Sequence, residues 1–255
     1  MKRDFTLKVY KEFIETFLNA GYSIYTFEEY LESNPLDNYL VLRHDVDKTP
    51  QNALKMAQLE NNLGVKSTYY FRILNCSNNP TIIRKIVDLG HELGYHYEDL
   101  TLARGDFNKA IEYFKTNLEY FRGYYDIKTI AYHGSPMTKW FNQDLWEKFD
   151  YKDYGILAEP FLDVDYEKNY YLTDTGRSWN AFDYSVRDKV IQGTHNNHYH
   201  NTFQIIKAIE NGSFPSRVFL NIHSQRWHEN FVPWLWELIF QNIKNQIKRM
   251  IFVKK

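Results

Sequence analysis

From residue 39 onward the chain alternates between short apolar segments and amphipathic segments with helical spacing, and this alternation constrains its fold more than any other feature. Two helical segments end in Leu-Gly, at Leu63-Gly64 and Leu89-Gly90, directly before a short apolar strand. Strands that are separated by helices lie parallel in one sheet, because each helix returns the chain to the start of the next strand. We therefore predict an α/β fold, a distorted (β/α) barrel of seven or eight mostly parallel strands.

The predicted elements follow one another regularly up to residue 132 and less clearly beyond it. Strands are predicted over 39–46, 66–72, 91–96, 128–132, 156–164, 170–173, 189–192 and 218–222. Helices are predicted over 50–63, 80–89, 107–122, 141–149, 202–210 and 234–250, the last with several large apolar residues on one side. No linker rich in Pro, Gly or Ser and no low-complexity tract divides the chain, so we assign residues 1–255 to a single domain.

Residues 1–38 precede this alternation and are predicted to form an N-terminal helical extension packed on the barrel. An amphipathic helix is indicated over 5–20, because its apolar side chains recur at intervals of three and four residues. Thr26 and Glu29 have the spacing of a capping box, which begins a second, short helix that ends near Pro35.

The composition excludes several classes of partner and location. Lys and Arg number 31 against 32 Asp and Glu, so a net charge of -1 gives no overall field that attracts nucleic acid. No apolar run approaches the length of a membrane span. Met1 to Asp4 lead into a charged amphipathic helix rather than an apolar signal core, so we expect a cytoplasmic protein. The single cysteine, Cys76, permits neither an intramolecular disulfide nor a zinc site built from cysteines.

Polar residues that can bind metals or transfer protons cluster directly after predicted strands. The clusters are His44, Asp45 and Asp47; His96, Glu98 and Asp99; His133; Asp174, Arg177 and Trp179; and His223, Arg226, Trp227 and His228. In a parallel barrel the carboxyl ends of all strands share one face, and ligands bind there. We therefore expect these clusters to form one site, although for any single Asp taken alone a helix cap is the favoured interpretation.

Imidazoles and carboxylates without a thiolate suit Zn²⁺, with Co²⁺ or Ni²⁺ as alternatives, and a catalytic site needs about three protein ligands. Asp45 and Asp47 project to the same side of an extended chain. One of them and His96 fit two of the ligand positions, with a further His or Glu as the third, while the other Asp fits a general base. His223 fits a general acid from across the barrel. A second group of imidazoles, His195, His198 and His200, is interpreted as a surface loop.

Three motifs resemble those of the polysaccharide deacetylases of the NodB-homology, carbohydrate esterase family 4 type. They are Arg43-His44-Asp45-Val46-Asp47, Gly90-His91-Glu92-Leu93-Gly94-Tyr95-His96 and Leu220-Asn221-Ile222-His223. The resemblance covers roughly residues 39–230 and is greatest to the cytoplasmic branch with an Asp-x-Asp motif. It implies a distorted barrel with Asp45 as general base, Asp47 and His96 as metal ligands, and His223 as the acid that protonates the leaving amine.

The chain departs from this family at one ligand position. The family normally supplies a second metal histidine four residues after the first, and that position is Leu100 in this sequence. We expect the third ligand to be His133, or Glu98 as the alternative. By loose analogy Arg177 is a candidate to orient the base, and Arg177, Trp179 and Arg226 are candidate substrate-binding residues.

The resemblance implies a metal-dependent hydrolase that removes an acetyl group, as amide or ester, from a sugar intermediate of surface-polysaccharide biosynthesis. The expected substrate is a small saccharide or a nucleotide- or lipid-linked sugar, and an aromatic content of 18% is consistent with stacking on sugar rings. Two alternatives are a carbohydrate-binding or degenerate, non-catalytic member of the same fold, and a metal hydrolase of another C–N bond, such as a cyclic imide or an N-formyl sugar. The sequence leaves the oligomeric state open.

Overall fold

The computed structural model describes residues 3–135, 138–179 and 199–248. Its helices are α1 (Leu7–Asn19), α2 (Phe27–Ser33), α3 (Pro50–Asn62), α4 (Pro80–Asp88), α5 (Asp99–Leu102), α6 (Phe107–Arg122), α7 (Pro160–Asp163), α8 (Thr202–Glu210) and α9 (Phe231–Lys248). Its strands are β1 (Ser23–Tyr25), β2 (Tyr39–Val46), β3 (Thr68–Phe71), β4 (Glu92–Tyr97), β5 (Ile130–Tyr132), β6 (Tyr170–Thr173) and β7 (Arg217–Ile222). The predicted strand 189–192 and the predicted loop residues His195 and His198 lie outside the described residues.

The described strands form one parallel sheet in the order β5-β4-β3-β2-β7-β6. The central strand β2 pairs with β7 on one side, and on the other with β1 at its start and with β3 at its end. Within the described part of the chain the sheet ends at β5 and β6 and forms a half-barrel, with α1 and α8 packed on its outer side. The predicted fold class, an α/β distorted (β/α) barrel, is confirmed.

Four predicted elements have the observed bounds, namely the helices 107–122 and 202–210 (α6 and α8) and the strands 39–46 and 170–173 (β2 and β6), and most of the others are shifted by one to three residues. The N-terminal extension contains a strand, β1, as well as the two predicted helices, and Thr26 and Glu29 form the predicted capping box at α2. The assignment of the whole chain to one domain stays a prediction.

The predicted strand 156–164 is wrong. Only Ala158 pairs, in an isolated bridge with Thr129, and the helix α7 begins at Pro160. Proline is favoured at the first helical position, where its missing N–H leaves no hydrogen bond unmade. The side chain of Glu159 accepts from the backbone N–H of Phe161 and caps this helix. The predicted helix 141–149 is a 3-10 helix over Asn142–Glu147.

Side chains of β2 alternate between the two sides of the sheet and so separate two environments. Leu40 and Leu42 pack in the apolar cluster that includes α1 and α8 on the outer side. Val41 packs in a separate cluster on the inner side. Because the period is two, Arg43 and Asp45 point inward, whereas His44 points outward to the helices. The strand tip that the sequence presents as one polar cluster is therefore divided between two faces.

The outward His44 belongs to a buried hydrogen-bond cluster around Glu60 of α3. The imidazole Nε2 of His44 lies 2.9 Å from a Glu60 oxygen, and Ser67 Oγ and the Tyr69 hydroxyl donate to Glu60 at 2.6 and 2.9 Å. The Tyr10 hydroxyl of α1 also donates to it. Burial alone would raise the pKa of Glu60, but His44, His91 and the Ser67 hydroxyl hold it at about 2. This carboxylate therefore ties α1 and α3 to the sheet in its ionised form.

We predict that Glu60→Gln lowers the free energy of unfolding by about 3–5 kcal/mol, because breaking a buried charged pair leaves its partners without compensation. The depressed pKa places the contribution above the ordinary value of 4.5, and it is lost as the pH falls toward 2. Urea unfolding of both proteins at pH 7 and at pH 3 measures this difference and its decrease in acid.

The matched control is Glu112→Gln, which removes an exposed carboxylate in an ion pair with Lys115 of the same helix. Its effect should stay within about 0.5 kcal/mol. Equal urea midpoints for the two variants at pH 7 would show that Glu60 does not stabilise the fold as a charged group.

The last predicted helix is present as α9, but most of its large apolar side chains are exposed to solvent. Among the described residues, no helix is both long and apolar enough to cross a membrane.

Candidate metal centre and acid–base residues

Three potential metal ligands converge at the carboxyl ends of neighbouring strands. Asp47 follows β2, His96 lies near the end of β4, and His133 follows β5. The Oδ1 atom of Asp47 lies 3.5 Å from Nε2 of His96 and 3.5 Å from Nε2 of His133. The three ligand atoms all lie within 4.8 Å of one another. One carboxylate oxygen and two imidazole nitrogens form a donor set that suits Zn²⁺, Co²⁺ or Ni²⁺.

His96 and Asp47 are each held by a hydrogen bond at the atom that points away from the cluster. These bonds direct the other atom of each group into the cluster. Nδ1 of His96 lies 2.9 Å from the carbonyl oxygen of Ala131, which can only accept, so this nitrogen carries the proton and Nε2 is free. The Asp47 Oδ2 atom accepts from Gln225 Nε2 at 2.9 Å, while Oδ1 is buried without a hydrogen bond. Outer partners of this kind orient metal ligands in proteins.

Glu98 lies behind His133 rather than in the cluster. One of its oxygens is 3.3 Å from Nδ1 of His133, and the Ser135 hydroxyl is 2.9 Å from the same nitrogen. Arg72 donates to both Glu98 oxygens at 2.7 Å. Burial would raise the pKa of Glu98, but His133 and Arg72 hold it at about 2. This geometry favours His133 over Glu98 as the third ligand, and the assignment of the ligands stays a prediction.

The protonation equilibria of the cluster fit a cation site. Burial would raise the pKa of Asp47, but the neighbouring imidazoles of His96 and His133 hold it well below its usual range. Burial would lower the pKa of His96, but Asp45 and Asp47 raise it. A buried anionic oxygen that makes no hydrogen bond is costly unless a positive charge lies beside it. A divalent ion between these three side chains would provide that charge.

Asp45 is held in an orientation and charge state that suit a general base. Its Oδ2 atom accepts from Arg43 at 3.2 Å and from Asn221 Nδ2 at 2.7 Å, and it lies 4.0 Å from Nε2 of His96. Its Oδ1 atom is buried and makes no hydrogen bond. Burial would raise the pKa of Asp45, but the Arg43 guanidinium and the histidines lower it. Asp45 therefore keeps one ionised oxygen available to accept a proton.

His223 is held by Asp174, which follows β6. The His223 Nδ1 atom lies 2.7 Å from Asp174 Oδ1, and the backbone N–H of His223 donates to the same oxygen at 3.0 Å. Trp227 Nε1 donates to the other Asp174 oxygen at 2.9 Å. Since Nδ1 faces a carboxylate, Nε2 is the atom of His223 that remains available. The positive form of His223 lowers the pKa of both Asp45 and Asp47, so it interacts with the same cluster.

The three predicted substrate-binding residues lie in different surroundings. Arg226 donates to the backbone oxygen of Asp174, behind His223. Trp179 is buried and donates to Thr202 at 2.9 Å, and Arg177 donates to the backbone oxygen of Trp234 in α9. The contacts of Trp179 and Arg177 thus lie away from the three converging ligands.

The residue that contacts the candidate base is Arg43, not the predicted Arg177. Arg43 is buried, with its guanidinium 5.3 Å from the ring centroid of Tyr70 and 5.2 Å from that of Phe161. The sequence carries a usable signal for this residue, because Arg43 precedes Asp45 by two positions in one strand. Asn221 precedes His223 by the same interval. Gln225 carries no such local signal, since its contact with Asp47 arises from the folding of distant segments.

No protein-family model matches the chain, and no curated protein matches it. Solved structures similar to it include the following two. One is a mutant of BA3943, described as a CE4 family pseudoenzyme, with a TM-score of 0.41 and 10% sequence identity, and the match covers 84% of this chain but only 64% of that chain. The other is Bacillus subtilis PdaA, a family 4 carbohydrate esterase, with a TM-score of 0.41, 14% identity and coverage of 94% of this chain and 89% of that chain. Similarity this distant assigns neither activity nor substrate.

We predict that Arg72→Met weakens divalent-metal affinity by about tenfold, the lower end of the usual effect of losing an outer partner of a metal ligand, because Arg72 acts on His133 through Glu98. The reason is that Glu98 loses its guanidinium partner and no longer fixes His133. Competition with a chromophoric chelator measures the affinity. Arg84→Met is the control, because Arg84 is exposed on α4 and lies against the ring of Tyr124. If the affinity of Arg72→Met equals that of the control, Arg72 does not support the site.

Proposed function

We propose that the protein is a metal-dependent hydrolase that removes an acetyl group, as amide or ester, from a sugar intermediate of surface-polysaccharide biosynthesis. Asp47, His96 and His133 would hold the metal, most suitably Zn²⁺, with Co²⁺ or Ni²⁺ as alternatives. The observation that carries this proposal is the convergence of three free ligand atoms beside the unpaired oxygen of Asp45. A purely structural role does not explain this arrangement, because the buried Oδ1 atoms of Asp45 and Asp47 make no hydrogen bond.

The side chains around this cluster have separate roles in the proposed hydrolysis. When bound, the metal would polarise the acyl oxygen and lower the pKa of the attacking water. Asp45 accepts the proton of that water, and Arg43 and Asn221 keep its carboxylate oriented. His223 donates a proton from Nε2 to the leaving amine or alkoxide, while Asp174 holds its Nδ1. Each acid–base group thus acts through one free atom.

The proposed substrate is a small saccharide or a nucleotide- or lipid-linked sugar, converted in the cytoplasm. A cytoplasmic enzyme meets activated sugar intermediates rather than finished cell-wall polymer. The near-neutral net charge supports this class of substrate over nucleic acid. The Asp-x-Asp spacing of Asp45 and Asp47 supports membership of the corresponding deacetylase branch.

We predict that the purified protein binds one equivalent of a divalent metal and that His96→Ala and His133→Ala each abolish stoichiometric binding. Elemental analysis after incubation with Zn²⁺, Co²⁺ or Ni²⁺ and removal of free ions measures the stoichiometry. His200→Ala is the control, because His200 is exposed and its backbone N–H bonds to Gln204. A wild-type protein that takes up no metal under these conditions would refute the proposed function.

We predict that Asp45→Asn keeps its metal but loses acetate release by about 10²–10⁴-fold, the usual contribution of a general base. The assay measures acetate and formate released from a panel of acetylated and formylated sugars. Asp165→Asn, at an exposed position, should match the wild type. Release of formate alone would favour hydrolysis of an N-formyl sugar. A metal-loaded protein that binds saccharides and releases neither product would favour the non-catalytic alternative.

A further inference from the structure

The helix α9 carries an unusual concentration of exposed apolar side chains. Among the described residues twelve large apolar side chains are exposed, and four of these are scattered over other segments. The other eight lie on α9, with exposed fractions between 36% and 62%: Phe231, Val232, Leu235, Trp236, Ile239, Phe240, Ile243 and Ile247. Single exposed apolar residues are normal in soluble proteins, whereas a contiguous set marks a contact surface.

The side of α9 that faces the protein is held by polar contacts, although Trp234 and Leu238 are half-buried there. Asn245 Nδ2 donates to the backbone oxygen of Gly176 at 2.8 Å, and Gln241 Nε2 donates to Asn245 Oδ1 at 2.8 Å. The indole N–H of Trp234 donates to the backbone oxygen of Asp4 at 2.6 Å. A helix on a globular protein usually turns its apolar side inward and its polar side outward. In α9 these hydrogen bonds turn polar side chains toward the protein, so the apolar side is available to a membrane or to another protein.

The exposed side chains form a continuous stripe. Val232, Trp236, Ile239, Ile243 and Ile247 follow one another at intervals of three and four residues, which places them on one face. At a rise of about 1.5 Å per residue, the stripe from Val232 to Ile247 is about 23 Å long. No charged residue interrupts the spacing. The stripe thus has the form of the apolar face of a helix that lies in a membrane interface.

The sequence from the middle of α9 onward is basic, and the acidic residue earlier in α9, Glu237, lies 3.8 Å from Lys48. Residues 238–255 contain five Lys or Arg, namely Lys244, Lys248, Arg249, Lys254 and Lys255, and no Asp or Glu. Lys244 is exposed and lies one turn after Phe240, at the border of the stripe. The whole chain has a net charge of only -1, so this excess is local. Basic residues next to an apolar helical face attract anionic lipid headgroups.

We propose that α9 attaches the protein to an anionic membrane surface. The helix lies in the plane of the interface, with its apolar stripe at the boundary of headgroups and acyl chains and Lys244 at the level of the lipid phosphates. A second copy of the chain is a less suitable occupant, because it would bring two basic segments together with no acidic residue in 238–255 to compensate. This inference does not depend on the proposed hydrolase activity.

Flotation of the protein with vesicles tests the proposal. Vesicles of phosphatidylcholine and phosphatidylglycerol in a three-to-one ratio should carry the protein, and pure phosphatidylcholine vesicles should carry much less. The double variant Ile239→Glu with Ile243→Glu changes two exposed positions and should lower the partition coefficient by more than roughly tenfold. The control Leu36→Glu changes a side chain that is 81% exposed outside α9 and should leave partitioning unchanged.

The electrostatic contribution is tested separately with Lys244→Gln and Lys248→Gln. Each substitution should weaken partitioning into the anionic vesicles by about fivefold, which corresponds to the usual contribution of one basic residue near such a surface. Metal content and unfolding midpoint serve as readouts of an intact fold, and all these variants should keep the wild-type values.

Two results would overturn the proposal. One is that the protein fails to float with anionic vesicles, or floats equally well after Ile239→Glu with Ile243→Glu. The other is that the protein does not bind vesicles but sediments as a dimer in the ultracentrifuge, and that the double variant sediments as a monomer. This second result would assign the stripe to a second copy of the chain.

Discussion

The alternation of side chains along β2 is the constraint on which the rest of the structure depends. One strand in the middle of the sheet directs Arg43 and Asp45 to the inner side and His44 to the helices. The inner pair becomes part of the candidate metal centre, and His44 joins Glu60 beneath α1 and α3. A shift of one residue in the register of β2 would exchange these two sets, so the fold and the site are specified together.

The candidate site is assembled from side chains that each have one atom fixed and one atom free. Ala131 holds His96, Glu98 and Ser135 hold His133, and Gln225 holds Asp47. Such outer contacts remove rotational freedom before a ligand binds, which is how catalytic and metal sites gain precision. Burying several charges is unfavourable, and their mutual attraction offsets much of this cost.

Local patterns in the sequence were sufficient for the elements whose spacing is regular. The spacing of apolar residues predicts α6 and α8 with the observed bounds, and Thr26 with Glu29 predicts the start of α2. The strand predicted over 156–164 failed because its apolar residues surround Pro160, which starts a helix when Glu159 can cap it. The strand β1 has only three residues, too few for an alternation to be visible.

The candidate site likewise has a part that local sequence patterns predict and a part that depends on contacts between distant residues. The sequence by itself determined that imidazoles and carboxylates follow the strands of a parallel sheet, because strand and helix periodicity are local properties. It left the third ligand open between His133 and Glu98, and only the tertiary structure places Arg72 where it engages Glu98. The helix α9 is predicted by its apolar spacing, yet which of its sides faces the protein is decided by the contacts of Asn245 with Gly176 and Trp234 with Asp4. Periodicity fixes which side chains share a face, whereas the partner of that face depends on residues that are distant in sequence.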